Sequence, residues 1–193
     1  MRSRILLVIG LIAFTLKVTG QETIADKTER GTPLEWGSAY KMETILVQEI
    51  KKPGLMSSPM YVSIRSIKNL ATGNSFYYPR FEAYDVLDKA TKNAAINEGE
   101  LDEAIGFCKN LMEFVKESKI PNYTEYKYES KDGTFELGAY WEVKNIKWTF
   151  FVTIDPRARL ASTFSYDTSF IDQMLQALTN CKAAIEQLKS AKK

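Results

Sequence analysis

Six carboxylates fall between positions 85 and 103: Asp85, Asp88, Glu98, Glu100, Asp102 and Glu103. Two acids facing each other in a cleft could hydrolyse a bond by themselves, one protonated as general acid and the other ionised as base or nucleophile. The same oxygens could hold calcium, but the Asp-x-Asp-x-Asp-Gly spacing of a calcium loop is missing. A plainer use is a solvated helix start and its approach loop, where acids complement the positive end of the helix dipole. Other chemistry is restricted by composition. None of the 193 residues is histidine, so the chain supplies no Ser-His-Asp or Cys-His arrangement and no imidazole base or ligand. Two cysteines without histidine do not complete a structural zinc site. The phosphate-cradling glycine loop, the dinucleotide fingerprint and the haem-attachment motif are absent as well. No catalytic residue, metal site or cofactor is therefore expected.

Cys108 and Cys181 are the only cysteines. Both fall on apolar helix faces, where they could serve as small buried hydrophobes or, in an oxidising compartment, as the two ends of a disulfide. The bridge requires the two helices to cross at these positions. A third set is aromatic: Tyr77, Tyr78, Tyr123, Tyr126, Tyr128, Tyr140, Trp141 and Trp148. On a curved sheet such rings can line a pocket for a sugar or an apolar ligand, or pack across strands beneath helices. Asn122-Tyr123-Thr124 matches the glycosylation acceptor pattern, which has meaning only in a eukaryotic secretory route.

The compartment follows from the start of the chain. Arg2 and Arg4 precede an apolar run from Ile5 to Leu16, and Val18-Thr19-Gly20 supplies small or β-branched residues before Gln21. This is the layout of a secretory signal peptide over 1–20, too short to span a bilayer. Residues 21–33 read as a polar, flexible lead-in, and 34–193 as one α+β domain. Without Arg2, Arg4 and Lys17 the 26 basic side chains become 23 against 24 acidic ones, a net charge near −1. Lys and Glu are interspersed throughout, so nucleic acid is not an expected partner. No later apolar run reaches the length of a membrane span.

The elements that would position any site follow from periodicity and turn chemistry. Alternation predicts strands from Tyr40, from Met60 to Ile67 and from Ser75 to Tyr84. Pro79 cannot donate a ladder bond, which places the third strand at an edge or puts a bulge there. Val86 to Ala95 could form a short helix, while Asn93 to Ile96 favours a strand. Asn97, with Glu100 in the capping-box position, starts a helix running to about Ser118. Its buried face would be Leu101, Ile105, Cys108, Met112 and Val115. The second half repeats the scheme: strands over Tyr123–Tyr128, Thr134–Val143, Lys147–Ile154 and Arg157–Phe164, with a hairpin turn at Lys131-Asp132-Gly133. The all β-branched or aromatic run Lys147–Ile154 should be a central strand. A closing helix from about Asp167 to Lys189 would bury Ile171, Met174, Leu175, Leu178, Cys181, Ile185 and Leu188.

The halves, 34–119 and 120–193, echo one another at an offset of seventy-three residues. Ala104-Ile105-Gly106-Phe107-Cys108-Lys109 aligns with Ala177-Leu178-Thr179-Asn180-Cys181-Lys182, and Tyr61–Ile64 with Thr134–Leu137. This points to a mostly antiparallel sheet built from two successive β-rich units, each ended by an amphipathic helix, with both helices packed on one face, and to an internal duplication. The run from Tyr126 to Val152, with its DGTFELG hairpin before a Lys-Trp strand, resembles small exported bacterial proteins of unknown function. Those motifs are structural, so the resemblance implies no functional residue. Two functions fit. One is an exported, non-enzymatic protein, periplasmic or secreted, that binds a protein or small ligand or serves the envelope structurally. The alternative is a hydrolase using carboxylates alone in the periplasm or outside the cell.

Overall fold

The computed structural model describes residues 39–51, 59–117, 120–156 and 162–191. The expected signal peptide and the lead-in over 21–33 lie outside the described residues. The architecture is α+β, and the described residues form eight strands and two long helices in two successive units. In the first unit β1 (Tyr40–Ile50), β2 (Met60–Asn69), β3 (Ser75–Asp85) and β4 (Ala90–Ala95) form an antiparallel meander in that order. A single 3-10 turn, Glu98–Glu100, then leads into α1 (Leu101–Phe114). The second unit repeats the order: β5 (Glu125–Glu129), β6 (Phe135–Glu142), β7 (Lys147–Ile154) and β8 (Ser162–Tyr166), followed by α2 (Phe170–Ser190). The strands thus make two sheets of four rather than one continuous sheet. Among the described residues, no helix is long and apolar enough to cross a membrane.

The central hairpins of the two units share one register. Val62 pairs with Phe81 and Ile64 with Pro79 in β2–β3; Phe135 pairs with Ile154 and Leu137 with Val152 in β6–β7. Every one of those residues is displaced from its counterpart by seventy-three positions. The correspondence ends at the outer strands. Arg80 faces Ala95 on β4, whereas Thr153, its counterpart, faces Thr163 on β8, five positions short of the equivalent residue. Loops differ freely in length at little thermodynamic cost, whereas a one-residue slip in a half-buried hairpin would turn its apolar side chains to solvent.

Both sheets turn their apolar faces into one core. Val62, Ile64, Phe81, Ala94 and Ile96 from the first unit meet Phe135, Leu137, Phe150, Val152 and Ile154 from the second, all buried. The rings of Phe81 and Phe135 stack across the boundary at 4.2 Å between centroids. The helices pack on each other and reach across: α2 lies on β1, β2 and β3, and α1 lies on β5. Side chains hold that exchange. On one side Phe114 stacks on Tyr126 at 4.4 Å. On the other, the Gln48 amide donates to the Gln173 carbonyl at 3.3 Å and accepts from Asn180 at 3.2 Å. Neither unit therefore encloses its own core.

Local expectations meet the structure with a few differences. The stretch that could have been helix or strand is strand, β4. Pro79 is neither at an edge nor in a bulge: β3 is paired on both sides. The ring is tolerated because Pro79 lies one residue beyond the last β3–β4 pair, Arg80 with Ala95. Its carbonyl, which points the same way as its nitrogen, accepts from Ile96 N–H at 3.0 Å. The missing donor would face Ile96, just past the end of β4, where the Ile96 N–H alone closes the last rung. The one register shift in that sheet is in β1, between Leu46 and Gln48. Val143 belongs to the β6–β7 turn, and α1 ends at Phe114, ahead of Ser118. Of the expected strand Arg157–Phe164, the described part lies in β8; 157–161 lie outside the described residues.

Asp85 ties the units together at their rim. Its carboxylate accepts from Ser162 Oγ at 2.5 Å, at the start of β8, and from Leu87 N–H at 2.8 Å in its own turn. The Ser162 hydroxyl, above all, holds the Asp85 carboxyl below its ordinary 3.8 against the opposing effect of burial, with lesser help from the backbone donors and Lys92. A depressed folded-state value means that the ionised group stabilises the fold above about 3.8 and that this contribution disappears as the pH falls through the folded value. Asp85→Asn should cost about 1 kcal/mol near neutrality. In urea titrations from pH 7 downward, its gap from the wild type should shrink below pH 3.8. An unchanged gap would show that the charge contributes nothing.

Candidate functional site

The acidic cluster does not converge on a reaction centre. Asp88 pairs with Lys92 at 2.6 Å, Glu103 with Lys131 at 3.5 Å, and Asp85 accepts from Ser162. Glu98 and Asp102 do meet an acid of the other unit, Glu186, around a cleft of about 220 Å³ between the start of α1 and α2. Two lysines of α2 already occupy them, Lys189 on Glu98 and Lys182 on Asp102, the latter at 2.6 Å. Hydrogen bonding to Asp102 also holds the Lys182 ammonium above its ordinary range. These pairs clamp α2 onto the start of α1.

Glu100 is the one member sealed from solvent, at 1% exposure. Its carboxylate accepts from the Asn97 amide side chain at 2.8 Å, from the Asn97 N–H at 3.2 Å and from the Lys131 N–H at 2.7 Å. Tyr128 OH adds a contact at 3.5 Å. Four donors facing one buried carboxylate satisfy its oxygens. They join the capped helix start to the β5–β6 turn, where Asp132 accepts from Ser130 Oγ at 2.7 Å and Thr134 N–H at 3.0 Å. Glu100 is a structural pin between the units. Among the described residues there is no group of three His, Cys, Asp or Glu placed to hold a metal.

Cys108 and Cys181 are free thiols at zero exposure. The reading of them as small core hydrophobes matches these surroundings. Burial pushes each thiol up to about 12, so neither carries appreciable thiolate at neutral pH. Ellman's reagent should leave both untouched in the native protein and titrate two thiols once urea has unfolded it, with no reductant present. A count of zero after unfolding would mean that a bridge forms after all.

Most of the aromatic set is packing. Tyr77, Trp141 and Trp148 lie in the main core, and Tyr78 joins Ile67 and Ala95 in a smaller cluster on the other face of the first sheet. Tyr126 stacks on Phe114, Tyr128 packs at 6.0 Å from Phe107, and Trp141 meets Trp148 edge-on at 5.6 Å. Trp148 Nε1 donates to the Glu117 carbonyl at 2.8 Å, fixing the end of the first unit. Asn122 of the glycosylation pattern is exposed in the loop before β5.

Two rings remain outside. Tyr123 and Tyr140 lie 6.2 Å apart on the outer face of the second sheet, and Tyr140 is 6.0 Å from Phe151. Alternation places Tyr140 and Glu142 of β6 and Lys147 and Thr149 of β7 on that face, opposite the buried Trp141 and Trp148. With Ser165 and Asp167 they line an open cleft of about 320 Å³, to which Trp148 and Tyr166 also contribute. The polar groups are tied to one another. Glu142 accepts from Thr149 Oγ1 and from the Asn145 amide, and lies 4.0 Å from the Lys147 ammonium. Those bonds, Thr149 first, hold its carboxyl below the ordinary range. Asp167 Oδ1 accepts from Ser169 N–H at 2.9 Å at the entry to α2. The cleft thus offers an aromatic face, two carboxylates, an ammonium and two hydroxyls. Apart from Tyr140 and Trp148, none of its residues was among the expected site residues. The available signal was the shared parity of Tyr140 with Glu142 and of Lys147 with Thr149, which becomes a site only once β6, β7 and β8 are set side by side.

No protein-family model matches the chain, and no curated protein matches it. Among solved structures it is similar to that of the plant transcriptional regulator PBF-2, with 10% sequence identity over 83% of this chain and 96% of that one, and a TM-score of 0.33. A likeness at that score carries no argument about the function of this chain.

Proposed function

We propose that the chain is an exported, non-enzymatic binding protein, periplasmic or secreted, whose ligand occupies the cleft on the outer face of β6, β7 and β8. The observation that carries this reading is the set of outward side chains around that cleft, which mixes one ring with donors and acceptors on rigid strands. The signal-peptide layout of residues 1–20 supports export. The hydrolase alternative needs a carboxyl held protonated near neutrality as general acid. It is disfavoured because Glu142 is shifted downward and the acids of 85–103 are engaged by lysines, hydroxyls or backbone donors. A thermal-shift screen of chemically diverse small molecules tests the binding reading. Some compound should stabilise the wild type but not a folded Ser165→Trp variant, whose indole fills the cleft. A screen with no such compound ends it, and turnover of a glycoside or ester that is lost in Glu142→Gln would restore the hydrolase.

The two units are further read as products of one duplication. Support comes from the identical strand order and from the shared offset of β2–β3, β6–β7 and the two helices. In an experimental structure, residues 60–83 should superpose on 133–156 at that offset. A better fit at another shift would sink the idea.

A further inference from the structure

We infer that the ligand of the outer cleft is a neutral saccharide of at least two rings, an inference that rests on the binding reading above. The lining discriminates between ligand classes. An apolar ligand would strip water from Glu142 and Asp167 without replacing their hydrogen bonds. A strongly charged ligand would need one sign to prevail, yet Lys147 lies 4.0 Å from Glu142 in the same wall. A sugar meets each feature. Its hydroxyls both donate and accept, matching carboxylates that only accept, an ammonium that only donates, and the hydroxyls of Thr149 and Ser165 that do either. Its apolar C–H face can lie on the ring of Tyr140, as apolar surface does on aromatic walls of ligand sites.

The size of the ligand follows from the second ring. Tyr123 lies 6.2 Å from Tyr140, with the two rings nearly parallel at 26°, and is 63% exposed. Its hydroxyl donates to Glu125 at 2.6 Å, which fixes the ring's position. Tyr123 thus carries the aromatic surface of Tyr140 past the edge of the cleft, where a second sugar unit can lie, so a disaccharide should bind more tightly than either of its monosaccharides.

Amide ¹⁵N–¹H spectra of the wild type, titrated with glucose, N-acetylglucosamine, maltose and cellobiose, test this. Saturable shifts are expected at Tyr140, Glu142, Thr149 and Ser165, with a disaccharide giving the lower Kd. Tyr140→Ala should raise that Kd by about tenfold, whereas Tyr140→Phe, which keeps the platform, should stay within about twofold. Tyr123→Ala should weaken the disaccharide but not the monosaccharide. Absence of cleft shifts with all four sugars up to tens of millimolar overturns the inference. If choline or free lysine shifts the same amides instead, the saccharide class is wrong while the cleft remains a binding site.

Discussion

Replacing Phe81 by alanine should destabilise the protein by about 4 kcal/mol, with Phe135→Ala costing about as much. Both rings are at zero exposure, and they stack at 4.2 Å and 20° across the junction between the units. Either truncation removes a full aromatic side chain from a place where strands on both sides prevent collapse. The pair should also couple: the double variant should be less damaged than the sum of the single ones by about 1 kcal/mol. Urea unfolding followed by fluorescence and far-UV circular dichroism would supply the values. Because one core serves both sheets, and each helix lies on the sheet of the other unit, the two probes should report a single coincident transition. Losses below about 1.5 kcal/mol, or two separated transitions, would mean that the units are stable independently and the stacked rings incidental.

The second large effect is at a glycine. A Cβ on Gly138 would lie 2.2 Å from the Tyr126 carbonyl oxygen and 2.9 Å from Cζ of Phe151. Phe151, the cross-strand partner of Gly138, lays its ring over the bare backbone and is thereby only 5% exposed although it faces outward. Gly138→Ala should therefore cost about 3 kcal/mol, the upper part of the range for overpacking. The β5–β6 ladder would part, since the nearer clash is with backbone. Combining it with Phe151→Ala separates the two contacts. The ring clash is relieved, the carbonyl clash stays, and the double variant should remain at least as unstable as Gly138→Ala. Recovery of wild-type stability in the double variant would show that the ring alone demands glycine. Phe151 also adjoins Tyr140, so Gly138→Ala should weaken any ligand of the cleft as well.

These two cases show where sequence and tertiary structure divide the work. The helices, the strand Lys147–Ile154, the Lys131-Asp132-Gly133 turn and the Asn97–Glu100 cap were all legible in the chain. Each depends on interactions within a few residues: a 3.6 or 2.0 periodicity, a glycine free to take φ of +69 at position 133, a carboxylate reaching back one turn. The offset of seventy-three was legible for a related reason, because a half-buried hairpin keeps its register and an amphipathic helix keeps its stripe. Gly138 and Phe81 gave no such local sign. That glycine matters because two other strands approach it, and that phenylalanine because the other unit stacks upon it. Pro79 misled because its fitness depends on where β4 stops, not on its own strand. The acids of 85–103 looked like chemistry until α2, some eighty residues on, brought Lys182 and Lys189 over two of them. Period and turn chemistry determine which segments form and which way their side chains alternate. Which face meets which, which charges neutralise, and where three strands leave a cleft are set by contacts between distant segments, whose free energies exist only once the chain has closed upon itself.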